Sequence, residues 1–185
     1  MKKCFFFLVY FLSITVMKAQ NKELYYVYGV DYTHAKAYAV TESLEKFVKA
    51  FEDINMLIIR EPEKYDFSRI VRKRVKVVIE PMLKIVTMGE YENLISLNED
   101  YEEPDYTEII KNYDIPQTEG IGIVLIAKLL NKPYEIATYE LIQFDIATRD
   151  ILYSREVKGE AGGFGLRNYW AASVYNVIKR TKIYK

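Results

Sequence analysis

Ile121-Gly-Ile-Val-Leu-Ile-Ala-Lys-Leu-Leu130 is an almost unbroken apolar run, and the stretch from Ile121 through Val157 decides the fold. Such a run suits a strand covered on both faces. Asn131-Lys132-Pro133 then turns the chain, and residues 134–146 read as a second strand. Asp145-Ile-Ala-Thr148-Arg149-Asp150 forms a second turn, because the Asp145 side chain can bond backbone groups two residues on. Residues 151–157 read as a third strand. Two short connections joining three strands predict an antiparallel meander at the C-terminal end of the chain.

The meander runs into Gly159-Glu-Ala-Gly162-Gly163-Phe164-Gly165 and then a helix over 166–180, where Leu166, Trp170, Val174, Val177 and Ile178 share one face. On the N-terminal side, residues 24–32 are aromatic and β-branched and predict a strand. Thr41 is placed to cap a helix over 42–55, with Glu42 in its first turn and an apolar face of Leu44, Phe47, Val48, Phe51 and Ile54. Asn55 can end that helix, and residues 56–59 fit either a short buried strand or a last turn. A basic helical segment at 67–74 and a strand at 75–79, stopped by Pro81, come next. Residues 82–118 carry little pattern beyond an acidic piece at 98–105 and a short helix at 106–113. Helices need an apolar surface to cover, and a sheet supplies one. The expected fold is α+β and two-layered: a mixed sheet of about five strands ending in the meander, with helices 42–55 and 166–180 packed on it.

The first 19 residues read differently. Lys2 and Lys3 precede an apolar run from Cys4 to Met17, and Ala19 is a small residue before Gln20. A run of that length falls short of the roughly 20 residues a membrane-spanning helix needs. Residues 1–19 are therefore expected to be a signal peptide, with 20–185 a single α+β domain exported to the periplasm or beyond. A retained N-terminal anchor is the competing reading. Without Lys2, Lys3 and Lys18 the remainder holds 23 basic and 26 acidic residues, a weakly acidic balance unlike that of a dedicated nucleic-acid binder. The single cysteine, Cys4, lies in the expected signal, and His34 is the one histidine. Thiolate chemistry, disulfides and any metal site needing two imidazoles are thereby excluded from residues 20–185, and no cofactor is expected.

The order of elements resembles the exported α+β domain of TolB N-terminal modules and of CsgG-type or penicillin-binding-protein-activator envelope proteins. Phe144-Asp-Ile-Ala-Thr148-Arg149-Asp-Ile-Leu152 is similar to the Asp-x-x-Thr-Gly-x-hydrophobic hairpin found there, with Arg149 in place of glycine. Tyr28–Ala39, Phe51–Asn55, Lys64-Tyr65-Asp66, Gly163–Trp170 and the Lys18-Ala19-Gln20 ending resemble uncharacterised exported Bacteroidetes proteins. That resemblance implies a place in the cell envelope and no particular activity.

Chemistry-bearing candidates are few. Gly162, Gly163, Gly165, Arg167 and Asn168 lie between a strand and a helix, where backbone N–H groups can meet an anion and Arg167 can add a charge-assisted contact. The spacing is neither a dinucleotide fingerprint nor a P-loop, and a tight connection requiring glycine explains the loop equally. His34, near Asp31, can carry protons near neutral pH, but the sequence names no nucleophile or substrate beside it. The acidic piece Glu99, Asp100, Glu102, Glu103 and Asp105 lacks the glycine of a calcium loop and reads as a solvated loop. The basic run Arg69, Arg72, Lys73, Arg74 and Lys76 reads as a solvated helix end. Sixteen tyrosines outside the expected signal suit either interfaces or sheet packing. Together these features favour a non-enzymatic binding or assembly module acting through contacts with an envelope protein or with itself. The alternative is a small anionic-ligand binder or enzyme using the Gly162–Arg167 loop.

Overall fold

The computed structural model describes residues 24–183; the expected signal peptide lies outside them. In chain order the elements are β1 (Tyr25–Asp31), β2 (Lys36–Tyr38), α1 (Leu44–Arg60), α2 (Ser68–Val71), β3 (Val75–Val77), α3 (Glu80–Met88), β4 (Ile95–Ser96), α4 (Tyr106–Lys111), β5 (Ile121–Asn131), β6 (Ile136–Asp145), β7 (Ile151–Glu160) and α5 (Leu166–Arg180). The fold is α+β.

The expected sheet is corrected in strand number and in organisation. It has seven strands, in the order β3-β1-β5-β2-β4 with β6 and β7 beyond β5, and β1 to β5 all run parallel. The organising strand is β5. One edge of it pairs with β1 (Tyr25 opposite Ile121, Asp31 opposite Ile126) and then with β2 (Lys36 opposite Leu129, Tyr38 opposite Asn131). β1 and β2 are thus one line of strand interrupted at residues 32–35. β3 extends the sheet beside β1, and β4 beside β2. The other edge of β5 pairs with β6, and β6 with β7, both antiparallel. The parallel half escapes a reading of the sequence because partners such as β1 and β5 are far apart along the chain and parallel pairing leaves no local turn signal.

Both faces of the sheet are covered, so the two-layer expectation is corrected as well. The first face packs Val27, Val30, Ile123, Leu125 and Leu141 against Phe47, Phe51, Ile54 and Ile58 of α1 and Trp170, Val174 and Val177 of α5. On the second, Tyr28, Val124, Ile126, Ile142 and Phe144 meet Met82 of α3, Ile110 of α4, and Tyr113 and Ile115. Within residues 82–115, Val86, Tyr91 and Leu94 instead join the core of the first face.

Two local departures and one close approach have clear causes. The helix expected over 42–55 runs from Leu44 to Arg60, and Asn55 is buried inside it. The Asn55 amide accepts from Val30 N (2.8 Å) and donates to Val30 O (2.9 Å), satisfying β1 where its register slips beside Gly29. A Cβ on Gly29 would collide with that amide, and its φ of 102° is one that glycine tolerates. Pro81 opens α3 instead of merely stopping a strand, as suits a residue whose missing N–H is not needed in a first helical turn. Gly159 lets α5 lie against β7, since a Cβ there would strike the Ser173 carbonyl oxygen.

Candidate functional site

The interruption between β1 and β2 is the feature from which the site grows. Asp31 ends β1 at 1% exposure, and its carboxylate accepts from Thr33 N (2.8 Å), Thr33 Oγ1 (2.6 Å) and the Tyr113 hydroxyl (2.7 Å). Three donors replace the water that a buried carboxylate loses. Burial, together with the adjacent Asp31 charge, pushes the Tyr113 phenol well above its ordinary pKa, so it remains a donor. This arrangement pins residues 32–35 outside the strand line and ties the chain after α4 to the carboxyl end of β1, where parallel sheets commonly form ligand crevices.

Thr33 and His34 sit between two clefts. One, of about 470 Å³, is lined by Asp31, Asp105 and Glu108 beside the apolar Ile85, Pro104 and Ile109. The other, of about 390 Å³, is lined by Lys36 with Glu90, Glu92 and Glu102. Six carboxylate residues thus face one lysine across the pair. Asp105 also caps α4 by accepting from Thr107 N and Glu108 N, and the Lys36 ammonium donates to the Asp100 carbonyl (2.8 Å). The clefts favour positive charge.

A polar row continues from Asp31 across the second face. Asp31 lies opposite Ile126, Ile126 opposite Glu140, and Glu140 opposite Glu156. Lys128 occupies the irregularity in β5 between Ala127 and Leu129, which turns a charged side chain onto a sheet face. At 5% exposure it pairs with Glu156 (2.8 Å), with Glu140 (3.9 Å) and with Glu103, and its ammonium lies 5.7 Å from the Tyr101 ring centroid. Tyr106 bonds Glu103 from above, and Ser154 donates to Glu140 (2.5 Å).

The charges tune one another. Burial raises the Glu140 pKa. The Lys128 hydrogen bond holds Glu156 below its ordinary range. Burial alone would lower Lys128, but Glu103 and Glu156 outweigh it and leave the ammonium raised. Lys128 is therefore a fixed positive post beneath the 98–105 segment. The acidic piece is an exposed loop, as expected, but it is anchored: Glu102 and Asp105 line clefts, Glu103 reaches Lys128, and the Asp100 carbonyl receives Lys36.

The structure brings Asp31 and His34 to the same cleft and leaves the glycine loop apart from both clefts. In the loop, Arg167 donates through Nε (3.0 Å) and Nη2 (2.8 Å) to Asn168 Oδ1, and Asn168 Nδ2 donates to the Phe164 carbonyl (3.1 Å). Gly163 and Gly165 have φ of 105° and 81°, the conformations glycine supplies most easily. Gly162 N donates to the Tyr169 carbonyl (3.0 Å). Lys128, Glu140, Glu156, Tyr101 and Tyr113 do not stand out in the sequence as site residues. For Lys128 a signal exists: it is the one charge within the apolar run 121–130.

Among the described residues no group of His, Cys, Asp and Glu is placed to hold a metal ion, and no helix is long and apolar enough to cross a membrane. Comparison with family models, curated proteins and solved structures gives no match.

Proposed function

We propose that this chain is an exported, non-enzymatic binding module that holds a basic segment of a partner protein in the paired clefts around Thr33 and His34. The observation that carries this reading is the split strand: two adjoining clefts share its rim, and their walls hold six carboxylate residues against a single, engaged ammonium. A lysine or arginine side chain suits them, because its aliphatic stem can lie on Ile85, Pro104 and Ile109 while its charged head reaches Glu108 or Asp105. Recognition of this kind gains specificity and association rate from charge complementarity. Binding rather than turnover is favoured because Asp31 is committed to three donors and Tyr113 is held protonated.

The test is fluorescence anisotropy with labelled lysine- and arginine-rich peptides, against glutamate-rich peptides of equal length. Basic peptides should bind, with affinity falling as salt screens the charges. The double variant Glu90→Gln, Glu108→Gln should weaken binding about tenfold, the scale of losing one well-placed charge-assisted contact. Equal affinity for basic and acidic peptides, or an unchanged affinity in the double variant, defeats this reading.

A further inference from the structure

The glycine loop plays no part in the clefts, yet it builds a second surface together with the β5–β6 turn. Ala161 N donates to the Glu135 carbonyl (2.6 Å), and the Tyr169 hydroxyl reaches Glu135 Oε1 (3.4 Å). The Lys132 ammonium lies 3.4 Å from the Tyr169 ring centroid. These contacts join the two turns into one end of the molecule. That end presents Tyr134 at 67% exposure and Phe164 at 96%.

Packing does not explain Phe164. It stands between glycines, and a Cβ on Gly162 or Gly165 would meet nothing within 4 Å. The positive φ of Gly163 and Gly165 instead shapes a turn that carries the ring outward. Lys132 and Arg167 lie on the same two turns as the aromatic tips, and among the described residues neither is paired with a carboxylate: Lys132 lies over a ring and Arg167 is held by an amide oxygen. Three acids lie nearby: Glu160 pairs with Arg180 (2.7 Å), among the described residues the Glu135 carboxylate accepts only from the neutral Tyr169 hydroxyl, and Glu42 lies close enough to add to the burial that raises the Tyr169 phenol.

We propose that this end docks on a bilayer containing anionic lipid, with Phe164 and Tyr134 entering the boundary between headgroups and acyl chains. Lys132 and Arg167 then lie at the level of the lipid phosphates. Aromatic side chains favour that boundary, and long cationic side chains keep their charge at the headgroups while their stems run along apolar surface. Two convex tips on separate turns would demand two matching pockets of a protein partner, whereas a bilayer accepts any convex apolar tip. Two rings and two cations give reversible, lipid-selective association, well short of a spanning anchor. The surface shares no residue with the clefts, so either can operate without the other.

The test uses the full chain carrying Phe164→Trp. The native indole, Trp170, is buried and supplies a constant background. Vesicles of phosphatidylglycerol mixed with phosphatidylcholine should shift the introduced indole's emission to the blue and shield it from iodide. Phosphatidylcholine alone should do so more weakly, and high salt should reverse the difference. Adding Tyr134→Ser should raise the half-saturating lipid concentration about tenfold, as expected for withdrawing one aromatic side chain from an apolar site. Replacing Lys132 and Arg167 with serine should abolish the preference for phosphatidylglycerol. Because the readout is local, membrane binding through residues 4–17 does not mimic it. Emission and quenching that ignore both kinds of vesicle overturn the proposal. So does a Tyr134→Ser variant that responds at unchanged lipid concentration.

Discussion

The two faces of the sheet solve different problems. The first is largely apolar where it lies under long helices, with Trp170, Phe47 and Phe51 fully buried, and only toward β7 does it carry Gln143 and Arg155. The second begins with a similar apolar patch around Tyr28, Val124 and Phe144. It then gives way to Asp31, Glu140, Glu156 and Lys128 beneath an irregular segment. Apolar packing under regular helices adds area and fixed geometry at little desolvation cost, whereas a buried charge requires several partners in position. The first face therefore holds the fold, and the second holds a geometry that stability alone does not call for.

That contrast can be broken most severely on the first face. Trp170→Ala should cost about 3–5 kcal/mol, the range for emptying a large aromatic site, read from the denaturant midpoint. Glycine substitutions sharpen the comparison. Gly159→Ala drives a methyl into the Ser173 carbonyl of α5, while Gly122→Ala drives one into the Phe144 ring on the second face. Backbone in a packed helix yields less readily than a ring, so overpacking of about 1–3 kcal/mol should fall at the upper end for Gly159 and the lower end for Gly122. Equal costs would show that the second face is as rigid as the first.

Lys128 is the next largest effect. Lys128→Met keeps the volume but leaves Glu140 buried without its cation, while Glu103 and Glu156 are exposed enough to hydrate. A loss of about 2 kcal/mol is expected, below the full cost of stranding a buried charge because two of the three partners reach solvent. Adding Glu140→Gln should recover part of the loss, and a double-mutant cycle measures how much.

The same row fixes the sign of two pH effects. Glu140 is raised by burial, so the folded chain holds its proton more tightly than the unfolded chain. Its contribution is present below the ordinary glutamate value of 4.5 and is lost as pH rises through the raised one. Glu156 is lowered through Lys128, so its contribution is present above that ordinary value and lost as pH falls through the lowered one. On acidification Glu140→Gln should lose more stability than the unaltered chain, and Glu156→Gln less. Identical pH slopes in urea titrations of both variants would remove the physical distinction between these carboxylates.

What the sequence makes legible depends on the range of each interaction. Apolar runs and the turn residues between them locate the strands of the last third, and periodicity places α5 over 166–180 as observed. The pairing of β1 and β2 along a single edge of β5 has no local signature. Asn55 misleads because its usual preference for helix ends is overridden by a distant need, the unpaired backbone of Val30. Asp31 and His34 are visible as neighbours, but the donor that commits Asp31, Tyr113, lies 82 residues further on. The acidic piece is exposed, as its composition suggests, but its anchor Lys128 is hidden in an apolar strand.

The smallest expected effect lies at the turn between β6 and β7, where the resemblance to envelope hairpins leads one to expect glycine and the chain has Arg149. The turn is otherwise satisfied: Arg149 N donates to the Asp145 carbonyl (2.9 Å) and Thr148 N to Asp145 Oδ1 (2.9 Å). Arg149 has φ of 66°, a left-handed conformation that costs a side-chain-bearing residue roughly 1–2 kcal/mol. One guanidinium nitrogen is also buried with no hydrogen-bond partner among the described residues. Arg149→Gly relieves both defects but gives the unfolded chain more freedom, which returns about 0.5–1 kcal/mol of the gain. The net should be a stabilisation of about 0.5 kcal/mol, seen as a slightly raised melting temperature. Arg149→Ala removes the stranded nitrogen but keeps the backbone cost, so it should fall about 1 kcal/mol below the glycine variant. If alanine matches glycine, backbone conformation is not what sets this turn apart, and the guanidinium itself is the source of the strain.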